Sequence, residues 1–374
     1  MNMAIASAQG RNVNPQTAPQ PTGKQPTGLN PFVRAAMRAR FASTPQQVTL
    51  SAAVQTMQLV IPAIGGWNRW IELQVVNTTA GNAAATTFAA DGPFNVFTQV
   101  VLQDAGQKPL FILRGFDSYI AENIGGYHLF AIDNAATGYS ATTGAGATGG
   151  SFSFSLYIPQ ELARDGIGSY PNMDASQRLT IALTININAN IYGTAPTNPG
   201  TLVVTPIVHY YTRPAEVSAM GVPQEVTPAG AGTVQYWREL VAVIASGQNV
   251  TTFNLSGRYV RNAWALFTDG SDVRSNTVKP TSLRVELDNN LVFDTTSASF
   301  DAYSGKFLGI ANVTGLIPFH LGALDPDNVQ GSEWADSWWQ SATSSQLVLK
   351  YSAGASGKLY LILNEVEPVG NVFR

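Results

Sequence analysis

One stretch of this sequence constrains the fold more than any other, because it occurs twice. Residues Leu102 to Tyr119, LQDAGQKPLFILRGFDSY, read as a strand, a Gly turn, a short second strand and a helix opening at Phe-Asp-x-Tyr. Residues Leu287 to Tyr303, LDNNLVFDTTSASFDAY, repeat that order in weaker form. Phe116-Asp117-Ser118-Tyr119 returns as Phe300-Asp301-Ala302-Tyr303, an offset of 184 residues in a chain of 374. A supersecondary unit written once in each half predicts a duplicated domain. Two further echoes keep the same order. Leu156-Tyr157-Ile158-Pro159 answers to Leu316-Ile317-Pro318, and Gln177-Arg178-Leu179-Thr180 answers to Gln346-Leu347-Val348-Leu349.

Between the echoes the hydrophobic period is two. Phe152, Phe154, Leu156 and Ile158 alternate with Ser151, Ser153, Ser155 and Tyr157. Leu179, Ile181, Leu183, Ile185 and Ile187 alternate with Thr180, Ala182, Thr184, Asn186 and Asn188 in the same way. Such runs are half-buried strands. Further strands are expected near 54–61, 67–76, 95–102, 110–113 and 202–211. In the second half they are expected near 234–244, 251–255, 259–267, 282–287, 290–293, 315–319, 346–351 and 359–366. One helix falls midway in each half, at 116–124 and about 299–308, and a short helix carries Trp334, Trp338 and Trp339. About eight strands per half, with turns at regular spacing, favour a jelly roll. The expected fold is all-β: two tandem eight-stranded antiparallel jelly rolls, each with an inserted short helix, behind an N-terminal arm. The arm covers residues 1–45, the first jelly roll 46–214, a Pro/Gly-rich linker 215–232 and the second jelly roll 233–374.

The arm differs from the body in charge. No acidic residue precedes Glu72, whereas Arg11, Lys24, Arg34, Arg38, Arg40 and Arg69 all lie before it. Residues 31–41, PFVRAAMRARF, read as a basic amphipathic helix of about three turns. Pro31 suits a first helical position. Arg34 and Arg38 sit at i, i+4, and Arg40 follows, while Phe32, Phe41 and the alanines offer an apolar side. This helix either meets an anionic surface, such as lipid headgroups or nucleic acid, or docks on its own domain or a neighbouring subunit. Charged residues make up 12% of the chain, about half the share of an ordinary domain. A surface so poor in charge suits a protein that buries much of it against neighbours.

The residues offer little for chemistry. There is no cysteine, so no disulfide and no thiolate metal site. His128, His209 and His320 stand far apart and outside metal-ligand spacing. The run GAGATGG at 144–150 lacks the Lys-Ser/Thr ending of a phosphate loop. Asp325, Asp327, Glu333 and Asp336 read as a solvated acidic loop. Asp117 and Asp301 read as caps of their helix starts. No catalytic residue, cofactor or metal ligand is expected, and the chain is not expected to be an enzyme. With no charged leader and no long apolar run, it is expected to stay in the cytoplasm where it is made.

GPFNVFTQVVLQDAGQKPLF (92–111) and LYIPQELARDGIGSYPNMDASQRLTIALTI (156–185), with the tandem layout, resemble the major capsid proteins of tailless icosahedral phages with an internal membrane. These are the tectivirus-like group, and the wider class includes adenovirus hexon. The resemblance covers residues 90–215; in the second half it rests on architecture. It implies homotrimers that form pseudo-hexagonal blocks and tile an icosahedral shell. It implies an arm on the inner side, with Phe32, Arg34, Arg38, Arg40 and Phe41 touching neighbouring capsomers or the internal membrane. Vertex (penton) and minor capsid proteins are further implied partners, with no direct contact to nucleic acid. The location would be the virion, after synthesis in the host cytoplasm. Outer loops would be short, chiefly 133–150 and 321–345. The competing reading is a tandem jelly-roll carbohydrate-binding or viral spike protein.

Overall fold

The computed structural model describes residues 28–125, 140–162, 166–303, 313–319, 338–341 and 345–367. In the first half the elements are α1 (Phe32–Ala35), β1 (Arg38–Ala42), β2 (Gln46–Thr49), β3 (Gln55–Ile61), β4 (Gly66–Thr78), β5 (Asn82–Phe88), β6 (Phe97–Gln103) and β7 (Pro109–Leu113). They continue with α2 (Gly115–Gly125), β8 (Ser140–Ala141), β9 (Gly144–Gly146), β10 (Phe152–Pro159), β11 (Tyr170–Asn172), β12 (Leu179–Ile185), α3 (Asn188–Ile191), β13 (Tyr192–Thr194) and β14 (Thr201–Thr212). The second half holds β15 (Val234–Ile244), β16 (Gly247–Asn254), β17 (Tyr259–Thr268), β18 (Ser282–Leu287) and β19 (Asn290–Thr296). It ends with α4 (Ser297–Tyr303), β20 (Leu316–Pro318), β21 (Trp339–Gln340), β22 (Gln346–Ala353) and β23 (Gly357–Glu367).

Both halves pair their strands by one rule. In the first, β1 and β2 lie end to end on β14, which pairs with β4, which pairs with β10. The opposing layer runs β3, β12, β6, β7. In the second, β15, β23, β17 and β20 form one layer, and β16, β22, β18 and β19 the other. These are two eight-position jelly rolls with the same connectivity, and the strand–turn–strand–helix echo occupies the same place in each. The alternation in sequence becomes burial: Phe152, Phe154, Leu156 and Ile158 point inward while Ser153, Ser155 and Tyr157 stay half-buried. Each buried side chain of this size contributes ~1.5–3 kcal/mol. The duplication also reaches a feature without an echo. Arg69 and Arg261 each occupy a β-bulge, skipped in the β4–β14 and β17–β23 registers respectively, and both are buried.

The two units are joined, not merely tethered. β15 runs parallel beside β7, with Trp237 opposite Phe111, so one nine-stranded sheet crosses both halves. Trp237 stacks on Trp264 at 5.5 Å between ring centroids. Both join the core of the first unit, with Leu266, Leu316, Tyr360 and Ile362. The second unit thus lays the outer face of its β15-β23-β17-β20 layer on the first.

Several expectations change. Residues 31–41 do not form a three-turn helix. α1 is one turn, and Arg38–Ala42 is a strand, because β14 offers a free edge and five residue pairs outweigh the helix preference of an Arg/Ala run. Trp339 opens a short strand on β17 rather than a helix, and Trp338 is buried with Leu162, Ile167 and Val366. β5, NAAATTF, was not expected; it lacks the large apolar residues that mark alternation.

Candidate assembly surface

The arm is held by one aromatic anchor. Phe32 is buried and meets Trp67 and Tyr211 edge-on, at 6.4 and 5.4 Å between centroids. Its N–H donates to Glu225 Oε2 at 3.0 Å. Asn30 exchanges two backbone hydrogen bonds with the linker, to Pro223 O and from Glu225 N, both 2.9 Å. The linker therefore clasps the arm. Beneath the anchor, Arg69 Nε donates to Glu161 Oε2 at 2.6 Å and Tyr211 Oη to Glu161 Oε1 at 2.8 Å. Burial pushes the Glu161 carboxyl up, and Arg69 and Tyr211 pull it only part of the way back.

The other predicted arm residues separate by face. Arg34, Met37 and Arg38 are exposed, as are Arg213 after β14 and the linker residues Val217 and Met220. Arg38 lies 6.0 Å from the Tyr211 ring centroid. Phe41 is half-exposed. Arg40, opposite His209 in the β1–β14 register, reaches Glu72 Oε2 at 3.8 Å. Thus the five residues do not share one helix face. Phe32 is an internal anchor, Arg34 and Arg38 face outward, and Arg40 belongs to a polar row on the sheet. Glu72 is the centre of that row. It accepts from His209 Nε2 at 3.1 Å, Gln74 Nε2 at 3.1 Å and Ser155 Oγ at 3.2 Å. Burial works against its charge, but His209, Gln74 and Arg40 outweigh that and hold its carboxyl below the ordinary value. His209 also stacks on Trp70 at 4.7 Å; it packs and hydrogen-bonds, as its place within a strand implies.

Asp117 lies in the first turn of α2, where a carboxylate suits the helix dipole, but its bonded partner is a side chain; Asp301 is outside the first turn of α4. Asp117 is buried and bonds to Arg114 Nε at 2.6 Å. Asp301 lies in the fifth position of α4, where it pairs with Lys279 Nζ at 2.9 Å. The run at 144–150 is not a phosphate cradle: Gly144–Gly146 pairs with β5, and Thr79 Oγ1 donates to Gly149 O at 2.8 Å. Among the described residues no group of His, Asp or Glu is placed to hold a metal, and no helix is long and apolar enough to cross a membrane. His128, His320, Trp334, Asp325, Asp327, Glu333 and Asp336 lie outside the described residues, as do 133–139 of the first outer-loop candidate and most of the second.

No family model and no curated protein sequence matches the chain. Its backbone does match solved structures. The STIV major capsid protein aligns with a TM-score of 0.60, at 13% identity, over 88% of this chain and 96% of that one. The chain has the double jelly-roll fold. The Faustovirus major capsid protein aligns at 0.57 and 10% identity over 92% of each chain. That of bacteriophage PM2 aligns at 0.51 and 11% identity, over 90% of this chain and 99% of that one. At these identities the shared property is the backbone path, since one fold hosts many functions.

Proposed function

We propose that this chain is a viral major capsid protein with a structural role, assembling as a homotrimer that tiles an icosahedral shell. The observation that carries the reading is the way the two units meet. The second unit buries the outer face of β15-β23-β17-β20 against the β7–α2 side of the first. Duplication gives each unit a copy of both surfaces. The first unit's outer face, with Arg40, Trp70, Glu72, Gln74, Val76 and His209, is left without a jelly roll against it. So is the second unit's β19–α4 side, where Leu291 is 54% exposed and the Asp294 side chain 57%. A heterologous contact of this kind, repeated between chains, forms a closed ring when its rotation allows, and three copies of two units make the ring of six proposed here. The pattern of polarity fits. Trp237, Trp264 and Ile362 seal the permanent contact within the chain. Arg40, Glu72 and His209 face a contact that forms only after the subunit has folded and must stay soluble until then. Solvent-exposed Arg34, Arg38, Met37 and Met220 then form the inner surface, toward neighbouring capsomers or an internal membrane, with vertex and minor capsid proteins as further partners. Light scattering on the purified protein tests the core of this reading. A stable species near three times 39.8 kDa is expected; a monomer at micromolar concentration overturns it.

A further inference from the structure

At the junction of the two units two cations each meet one carboxylate. Arg274 Nε meets Asp91 at 2.5 Å, and Lys358 Nζ meets Asp272 at 2.7 Å. Arg114 is different. Its Nε lies 2.6 Å from Asp117 Oδ2 and 3.1 Å from Glu239 Oε2, so one guanidinium serves two carboxyl groups. Asp117 comes from α2 of the first unit and Glu239 from β15 of the second. The Asp117 side chain is fully buried, and its Oδ1 has no donor among the described residues. Both carboxyl groups accept from the same Arg114 Nε, which holds them side by side. Two negative charges on one cation, with the Asp117 side chain fully buried and that of Glu239 16% exposed, would leave one uncompensated at a cost.

We infer that Asp117 and Glu239 hold one proton between them, as an acid–carboxylate pair that closes the junction between the two jelly rolls and weakens as the proton leaves. With Glu239 protonated, its O–H donates to Asp117 Oδ1 and satisfies the orphan acceptor. The remaining negative charge is then balanced by Arg114, whose guanidinium also lies 3.5 Å from the Tyr360 ring centroid. Burial first, then the Asp117 carboxylate, pushes the Glu239 carboxyl up to about 9. Arg114 opposes this and does not cancel it. The other groups facing the pair are Tyr360, Asp272 and Lys358 from β23 and the loop after β17, and Arg274 with Asp91. Burial and a hydrogen bond to Asp272 push the Tyr360 phenol well above its ordinary range, so it stays neutral. Because the folded value of Glu239 is raised, its stabilisation is complete below the ordinary carboxyl range and is lost as the pH rises toward about 9.

The test compares wild type with Glu239→Gln and Asp117→Asn, both near-isosteric, in thermal unfolding from about pH 5 to pH 10. Wild type is expected to lose stability relative to both variants as the pH rises, with the gap levelling off above about pH 9. Parallel curves overturn the inference. Infrared spectra of the wild type give an answer that needs no variant to fold. A protonated-carboxyl C=O stretch at neutral pH that disappears in alkali supports the shared proton, and its absence at neutral pH overturns it.

Discussion

Phe32→Ala should release the arm without unfolding the body. The ring is 1% exposed, between Trp67 and Tyr211. Truncating a buried Phe costs ~3–5 kcal/mol in a closed core, of which each edge-to-face aromatic pair supplies ~0.5–1.5 kcal/mol. The low end, ~3 kcal/mol, applies here because the pocket is rimmed by half-buried Val33, Ala36, Met173 and Ala231 and can refill. Three linker hydrogen bonds and the five β1–β14 pairs still hold the segment. The loss therefore appears as local opening, a rise of about 100-fold in the open population. Limited trypsin digestion reads this directly, because Arg34, Arg38 and Arg40 are built-in cleavage sites, and the rate tracks the open population when reclosing is fast. Cleavage should rise by about that factor while the unfolding midpoint of the jelly rolls moves little. Unchanged cleavage would show that Phe32 does not hold the arm. A midpoint that collapses together with cleavage would show that the arm is not a separable element.

Two further outcomes are expected. Arg34→Glu with Arg38→Glu reverses charge on side chains that face solvent, so thermal stability should stay within about 0.5 kcal/mol of wild type while shell assembly or flotation with anionic vesicles is lost; retention of both would remove the arm from the assembly surface. Glu72→Gln should destabilise the protein at neutral pH and cease to do so in acid. The Glu72 carboxyl is held below its ordinary value of 4.5, so its contribution is complete above that pH and fades as the pH falls through the folded value. Unfolding curves that differ by the same amount at pH 3 and pH 7 would contradict this.

Much of the architecture was legible in the sequence because it rests on local periodicity. Strands such as β10 and β12 declare themselves by alternation, since a sheet with one buried face needs an apolar residue at every second position. The helix after β7 and its weaker copy after β19 marked the duplication through Phe-Asp-Ser-Tyr at 116–119 and Phe-Asp-Ala-Tyr at 300–303. What failed did so for physical reasons. The run RARFA has good helix formers, and nothing local reveals that β14, some 170 residues later, offers an unpaired edge. β5 is a strand of Ala, Thr and Asn whose place is set by its pairing with β9 and β13, not by its own pattern.

The sequence by itself determined that two similar all-β units follow a basic arm, because repetition and period two are properties of neighbouring residues. Only the tertiary structure decided how those units are used. It made Asp117 a buried partner of Arg114, a side chain shared with Glu239 from 125 positions away. It also divided the arm's five marked residues among an anchor, an outer surface and a polar row. The reason is the same in each case: charge compensation and burial depend on distance in space, and a folded sheet brings together residues that no local pattern connects.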